Sequence, residues 1–115
     1  MTEHDHQALV IRWAQIQSED MPELDLLYAT PNGGKRHIGV ARKLKAEGVC
    51  AGVPDLTLPC ARQGYHGLYI EMKAEKGTVS KPQKEWIAKL KAEGYRVEVC
   101  YGFESAIKVL QDYLS

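Results

Sequence analysis

Charged residues interrupt two stretches of this chain that otherwise have the composition of buried strands. The first stretch is Val53-Pro54-Asp55-Leu56, and the second is Gly67–Lys73, which contains Glu71 and Lys73. The aliphatic and aromatic residues around these charges predict two neighbouring strands of one sheet. An acidic residue before one strand and Glu-x-Lys inside the next could hold a divalent metal and a cation over one phosphate. A metal-dependent nuclease is therefore the first hypothesis.

The alternation within the second stretch determines which side chains share a face. Side chains two residues apart on a strand point to the same side of the sheet. Glu71 and Lys73 therefore share one face, while Ile70 and Met72 are predicted to point into the core. The alternative is a surface strand whose glutamate and lysine are simply solvated.

A hairpin across residues 59–66 would bring Asp55 and Glu71 close to one point. Mg²⁺ prefers carboxylate, carbonyl and water oxygens, so Asp55, Glu71 and the backbone carbonyl of Met72 are candidate ligands. A cation held there would lower the pKa of a bound water and neutralise charge in the transition state of phosphodiester cleavage. Lys73 could orient or deprotonate that water, or offset the developing charge.

Hydrophobic periodicity along the rest of the chain predicts alternating helices and strands. Helices are predicted over about 4–18, 36–47, 80–93 and from 103 onwards, and strands over 24–29, 55–58, 67–73 and 96–101. The order α-β-α-β-β-α-β-α predicts an α/β fold with a mixed four-stranded sheet flanked by helices, in a single domain spanning residues 1–115. Leu9, Trp13 and Ile16 mark the expected apolar face of the first helix. Trp13, Trp86 and the tyrosines fall at helical or strand core spacing and are expected to pack, and not to serve as base-stacking platforms.

The formal net charge of zero argues mildly against a simple electrostatic DNA binder. The charge is unevenly distributed, however, because residues 26–46 carry no acid and a run of bases. These bases are Lys35, Arg36, Arg42, Lys43 and Lys45. The run could engage phosphate, and the alternative is a solvated helix face.

Cysteine usage and hydropathy point to a cytoplasmic protein. Cys50, Cys60 and Cys100 show no CxxC spacing, which predicts reduced, buried thiols in place of a disulfide framework or a zinc site. No apolar run approaches the length of about 20 residues that a membrane span needs.

Four sequence motifs follow one another in order along the chain. They are Gly52-Val53-Pro54-Asp55-Leu56, Gly67-Leu68-Tyr69-Ile70-Glu71-Met72-Lys73, Ser80-Lys81-Pro82-Gln83-Lys84-Glu85-Trp86 and Gly94-Tyr95-Arg96-Val97. Together they resemble the VRR-NUC domain, a branch of the PD-(D/E)xK nuclease superfamily. The resemblance covers nearly the whole chain. It implies a restriction-endonuclease-like core and a Mg²⁺-dependent DNA endonuclease in which Mn²⁺ can substitute.

The resemblance also implies roles for individual residues of the central motifs. Asp55 and Glu71 match the metal-binding acids, and Lys73 matches the catalytic lysine. Gln83 matches a glutamine near the active site of the family. The spacing of Ser80 and Gln83 is also that of a helix capping box, so both roles are open.

Two further regions are implicated by the resemblance. Glu3 is the nearest match to a glutamate that the family places near the metal, and Asp5 is a competing candidate. Chain termini often fray, so fraying is expected around both residues. Asn32-Gly33-Gly34-Lys35-Arg36 resembles a polar loop of stand-alone family members and is a predicted DNA contact. Its glycines would let backbone N–H groups approach phosphate, and the alternative is a plain turn.

Stand-alone members of this kind resemble resolvases of Holliday junctions or other branched DNA, which implies a homodimer. Two sites related by a two-fold axis would suit symmetric cuts in a four-way junction. One alternative is a restriction-like or replication-associated nuclease without junction preference. Another is a catalytically silent nucleic-acid-binding module, which the intact Asp55, Glu71 and Lys73 disfavour. The expected location is the cytoplasm, that of a bacterial host if the protein is phage-encoded.

Overall fold

A computed structural model describes residues 1–31 and 38–115 of the chain. Its helices are α1 (Glu3–Gln17), α2 (Ile38–Ala46), α3 (Lys81–Ala92) and α4 (Phe103–Leu114). Its strands are β1 (Tyr28–Ala29), β2 (Leu56–Leu58), β3 (Leu68–Lys73) and β4 (Arg96–Tyr101), and a 3-10 helix (Pro22–Leu26) precedes β1. The predicted order of helices and strands is confirmed.

The strand predicted over residues 24–29 is wrong in its first half. Pro22 opens the 3-10 helix, where its fixed φ and missing N–H are tolerated. The side chain of Leu24 is buried in the core. The carboxylate of Glu23 lies 3.0 Å from the guanidinium of Arg62. Only Tyr28–Ala29 joins the sheet, because these contacts hold the preceding residues in a helical turn.

The four strands form one mixed sheet in the order β1-β2-β3-β4. β1 pairs with β2 and β2 pairs with β3 in antiparallel fashion, whereas β3 and β4 are parallel. The predicted hairpin across residues 59–66 is confirmed, with Leu56 opposite Ile70. Continuing that antiparallel register by one residue puts Asp55 opposite Glu71.

One face of the sheet packs against α1 and α4. Ile70 and Met72 lie in this core, as the alternation predicts. The remaining members come from both helices and all three longer strands or their connections: Val10, Ala14, Leu24, Leu56, Leu58, Cys60, Leu68, Cys100, Ala106, Leu110 and Tyr113. The opposite face carries Glu71 and Lys73, and α3 lies over it.

The apolar face predicted for α1 is partly wrong. Leu9 and Ile16 are exposed, and the buried positions are Val10 and Ala14. Trp13 packs against the core from the margin of this stripe. Val10 and Ala14 lie one turn apart, and the small alanine lets the helix approach the sheet closely.

Thr2 caps the first turn of α1, so this turn is ordered and the expectation of fraying is wrong. The Asp5 N–H donates to the hydroxyl of Thr2 at 3.1 Å, and the Thr2 N–H donates to the carboxylate of Asp5 at 2.8 Å. His6 accepts a hydrogen bond at Nδ1 from the Phe103 N–H at 3.1 Å. These contacts hold the first turn of α1 against the start of α4.

α2 buries none of its side chains. Arg42, Lys43 and Lys45 are exposed on it, as a solvated basic helix would be. The predicted DNA-contacting loop, Asn32–Arg36, lies outside the described residues. Among the helices of residues 1–31 and 38–115, none has the length and apolar character needed to span a membrane.

Two expectations about buried side chains need correction. Cys60 and Cys100 are buried free thiols, but Cys50 is exposed in the loop that follows α2. Tyr28 and Tyr101 are about half exposed and Tyr65 is also exposed, so these three tyrosines are not core residues. Tyr28 lies on a two-residue strand at the edge of the sheet that the described residues form, so no described strand covers its outer side.

Candidate active site

Three carboxylates converge beside the point where β2 begins and β3 ends. Glu3, Asp55 and Glu71 each contribute one oxygen, and these three oxygens lie within 4.8 Å of one another. Asp55 and Glu71 are buried, and Glu3 is half-buried. Glu3 comes from the first turn of α1, so packing of this helix on the sheet completes the cluster. Asp5, the competing candidate, is turned towards Thr2 instead.

Asp55 is held by backbone groups of both neighbouring strands. Its Oδ2 accepts a hydrogen bond from the Met72 N–H at 2.7 Å. Its carbonyl accepts from the Thr30 N–H at 2.9 Å, just after β1. A hydrogen bond from a backbone amide to a carboxylate is charge-assisted and directional, so it orients the Asp55 side chain.

The carbonyl of Met72 is directed towards the same place. The neighbouring carbonyl, that of Lys73, accepts from the Gly102 N–H at 3.0 Å on the β4 side. Successive carbonyls of a strand point to opposite sides, so the Met72 carbonyl points to the β2 side, where Asp55 lies. Because the Met72 side chain is fully buried in the core, this residue can offer only its carbonyl oxygen.

Glu71 is the most buried of the three acids, at 1% exposure. Its Oε1 is buried and has no hydrogen-bond partner among the residues that the structure describes. The pKa of Glu71 is raised to about 8, first by burial and then by the adjacent Asp55, while Lys73 opposes the rise. A buried carboxylate oxygen without a partner, beside other carboxylates, is unfavourable unless a proton or a metal cation neutralises the charge. The donor set therefore fits a hard divalent cation.

Gln83 connects the lysine of the site to its glutamate. Its Oε1 accepts from Lys73 Nζ at 2.8 Å and from the Ser80 N–H at 2.9 Å. Its Nε2 donates to Glu71 Oε2 at 3.3 Å, and its own N–H donates to the Ser80 hydroxyl at 3.3 Å. The capping box and the placement beside the site are therefore both present, and one amide makes the two sets of contacts.

Lys73 is buried beside this carboxylate cluster, with 5% of its surface exposed. Its Nζ lies 3.5 Å from Glu71 Oε2. The alternative of a solvated surface strand is wrong, because both side chains are removed from water. A buried lysine next to buried acids is costly without a compensating arrangement of charges, which is typical of a functional site.

The sequence patterns did not predict one backbone contact, which positions the loop before Asp55 against α3. Gly52 has φ +92°, and a Cβ at this position would lie 2.7 Å from the carbonyl carbon of Pro82. The loop before Asp55 therefore touches the first turn of α3 directly before Gln83. Only glycine permits both the backbone conformation and the close approach. The glycine before Val-Pro-Asp is the feature of the sequence that could have indicated it.

Comparison with known proteins identifies the family. The family model of the VRR-NUC domain matches residues 1–104. The chain belongs to the VRR-NUC family. A solved structure described as a "VRR_NUC domain protein" is 36% identical, has a TM-score of 0.83, and aligns over 98% of this chain and 88% of that chain. No curated protein matches the chain.

Membership of the VRR-NUC family confirms the restriction-endonuclease-like α/β fold and implies a nuclease-type function with DNA as substrate. In this VRR-NUC domain, the structure gathers every described residue of the predicted site into one cluster. The cluster comprises Glu3, Asp55, Glu71, Met72, Lys73 and Gln83. The roles of these residues in catalysis remain predictions.

Proposed function

We propose that residues 1–115 act as one nuclease domain that cleaves DNA by metal-dependent hydrolysis of phosphodiester bonds. The observation that carries this proposal is the convergence of Glu3, Asp55 and Glu71, each with an oxygen within 4.8 Å of the others, together with a buried Glu71 oxygen that has no hydrogen-bond partner in the described part of the chain. Hard oxygen donors of this kind select Mg²⁺, for which Mn²⁺ is an expected substitute.

Asp55, Glu71, the Met72 carbonyl and Glu3 would hold this cation. When bound, it would acidify a water molecule and offset the negative charge that develops on the phosphate. The Met72 N–H and the Gln83 amide restrain Asp55 and Glu71, so their oxygens would already be arranged before the cation arrives. Such preorganisation removes reorganisation from the chemical step.

Lys73 would act at the edge of this centre. Gln83 accepts one hydrogen bond from Nζ and so fixes where the ammonium group lies. As a cation, Lys73 would stabilise charge on the phosphate oxygens as the transition state forms. As a neutral amine, it would accept a proton from the attacking water. In either case, the role requires Nζ to stay next to Glu71.

Branched DNA is the proposed substrate, and a homodimer is the proposed active form. The family resemblance supports both, and the extents of 43 × 32 × 26 Å leave one chain little surface to grip a four-way junction. The exposed Arg42, Lys43 and Lys45 of α2, with the loop Asn32–Arg36, would supply phosphate contacts that do not depend on sequence. Such an enzyme would meet its DNA in the cytoplasm.

The test compares linear, flapped and four-way-junction DNA, each with Mg²⁺ or with EDTA, for the wild type and Asp55→Asn. We expect Mg²⁺-dependent cleavage of the junction by the wild type and none by the variant. If the wild type cut no substrate, the enzyme proposal would fail and a nucleic-acid-binding module would remain. If it cut linear and branched DNA equally, only the junction preference would be withdrawn.

A further inference from the structure

A row of side chains crosses the sheet next to the carboxylate cluster. Tyr28 on β1 is opposite Thr57 on β2, and Thr57 is opposite Tyr69 on β3. Tyr69 and Glu71 are two residues apart on one strand, so the row lies on the face that carries Glu71. At about 3.3 Å per residue, it lies roughly 7 Å from Glu71 along β3.

The inner part of this row is packed. Tyr69 is half-buried and packs edge-on against Tyr95, with ring centroids 5.3 Å apart. Burial raises the pKa of Tyr69, and its neighbours Tyr95 and Tyr28 raise this pKa further. Thr57 is buried between the two strand tyrosines and forms the floor of the row. The rings therefore form a supported cluster beside the candidate active site.

Tyr28 is the solvent-exposed member of this cluster. Its exposed fraction is 52%, although its strand is fixed by pairing with β2 and by the hydrogen bond from the Thr30 N–H to the Asp55 carbonyl. The position of Tyr28 relative to Asp55 is thus set by the backbone, while much of the tyrosine faces water. Aromatic side chains of this kind are favourable binding elements, since a rigid ring loses little conformational entropy on contact.

We propose that Tyr28 stacks on a nucleobase of the DNA strand close to the cleaved phosphate. This inference rests on the proposed DNA cleavage and adds a base-binding subsite to it. Thr57, the partner of Tyr28, is two residues from Asp55, and β1 lies about 4.8 Å from β2, so the Cα atoms of Tyr28 and Asp55 are roughly 8 Å apart. This separation corresponds to about two 3.4 Å base steps along one strand. Every base presents a π face, so stacking here would hold the strand without reading its sequence, as expected of a structure-specific enzyme.

Charge on the helix that follows β1 in the chain favours DNA over protein as the occupant. The next described helix along the chain is α2, whose exposed Arg42, Lys43 and Lys45 suit a phosphate backbone. A second copy of the chain seated on Tyr28 would instead cover the open side of the row next to Asp55. The experiment therefore includes a measurement that distinguishes a second copy of the chain from DNA.

The experiment places 2-aminopurine at successive positions of a four-way junction and measures its quenching by the protein in Mg²⁺, using the uncleaving Asp55→Asn background. We expect strong quenching within about two nucleotides of the bond that the wild type cuts. Tyr28→Ala should abolish this quenching and weaken binding about tenfold, whereas Tyr28→Phe should retain both. Tyr65→Ala, at an exposed tyrosine of the β2–β3 hairpin, should behave as the parent protein does.

Quenching and affinity that persist in a folded Tyr28→Ala protein would overturn the inference. A Tyr28→Ala protein that changes from dimer to monomer in sedimentation, with unchanged quenching, would assign the surface to a second copy instead. The dependence of quenching on Tyr28 can be measured without cleavage, so a wild type that binds but does not cut, with quenching lost in Tyr28→Ala, would defeat the proposed function and leave base stacking by Tyr28. A wild type that cuts, with quenching independent of Tyr28, would defeat this inference alone.

Discussion

Asp55 accepts a hydrogen bond from the backbone N–H of Met72, with Oδ2 2.7 Å from the nitrogen. Met72 stands between Glu71 and Lys73 on β3, so this one contact ties the acid before β2 to the strand that carries the other two charged residues. Asp55 therefore has two roles to distinguish. The carboxylate is an acceptor for a buried backbone amide and a candidate metal ligand.

Variants of Asp55 should separate these two roles. Asp55→Asn keeps an oxygen that can accept from Met72, so its free energy of unfolding should stay near that of the wild type. Asp55→Ala leaves the buried amide without its acceptor and should cost about 1–3 kcal/mol. Both should lower cleavage by at least about 100-fold. Urea unfolding and a cleavage assay check this, and equal stability of the two variants would contradict the assigned hydrogen-bond role.

Glu71 should make the metal-free protein less stable at alkaline pH. Its pKa is raised from 4.5 to about 8 in the folded chain, mainly by burial. Between these two values the folded state holds a proton that the unfolded state has released. The free energy of unfolding should therefore fall as pH rises from about 4.5 towards 8, by at most a few kcal/mol.

Thermal unfolding in EDTA at pH 5 and pH 8.5 would measure this dependence on Glu71. Glu71→Gln cannot ionise, so the fall should be much smaller in this variant. Mg²⁺ at the higher pH should restore stability to the wild type, because a cation that binds only the folded state stabilises it. The same pH slope in wild type and Glu71→Gln would show that another group is responsible.

Glu3 and Asp5 offer a matched test of metal ligation. Each loses one negative charge when replaced by its amide, and both lie in the first turn of α1. Glu3→Gln should raise the Mg²⁺ concentration needed for half-maximal cleavage by about 10- to 100-fold. Asp5→Asn should leave it nearly unchanged, since an amide oxygen can still accept from the Thr2 N–H. Equal shifts in both variants would indicate general electrostatics and not ligation.

Ser80 and Gln83 allow the capping role to be separated from the role beside Lys73. Ser80→Ala removes the hydroxyl cap and should cost about 1 kcal/mol of stability, with cleavage close to that of the wild type. Gln83→Ala removes the same cap partner and also the acceptor of Lys73 Nζ. Its cleavage should fall at least about tenfold at a similar cost in stability. Parallel losses of activity in both variants would refute the separate role of Gln83.

Local patterns were sufficient where the determining contacts are local. The alternation in β3 correctly assigned Ile70 and Met72 to the core. The capping-box spacing correctly marked the start of α3 at Ser80 and Gln83. The segment before β1 was mispredicted because buried Leu24 and the ion pair of Glu23 hold it as a 3-10 helix, and these contacts involve distant residues.

The sequence alone determined that Glu71 and Lys73 share a face, because side chains in a strand alternate with a period of two residues. Only the tertiary structure decided that Asp55 and Glu71 meet, since a slip of one residue in the β2–β3 register would turn the acids to opposite sides of the sheet. It also decided that Glu3 and not Asp5 joins them. Both acids lie on the first turn of α1, and the packing of that helix determines which of them faces the sheet.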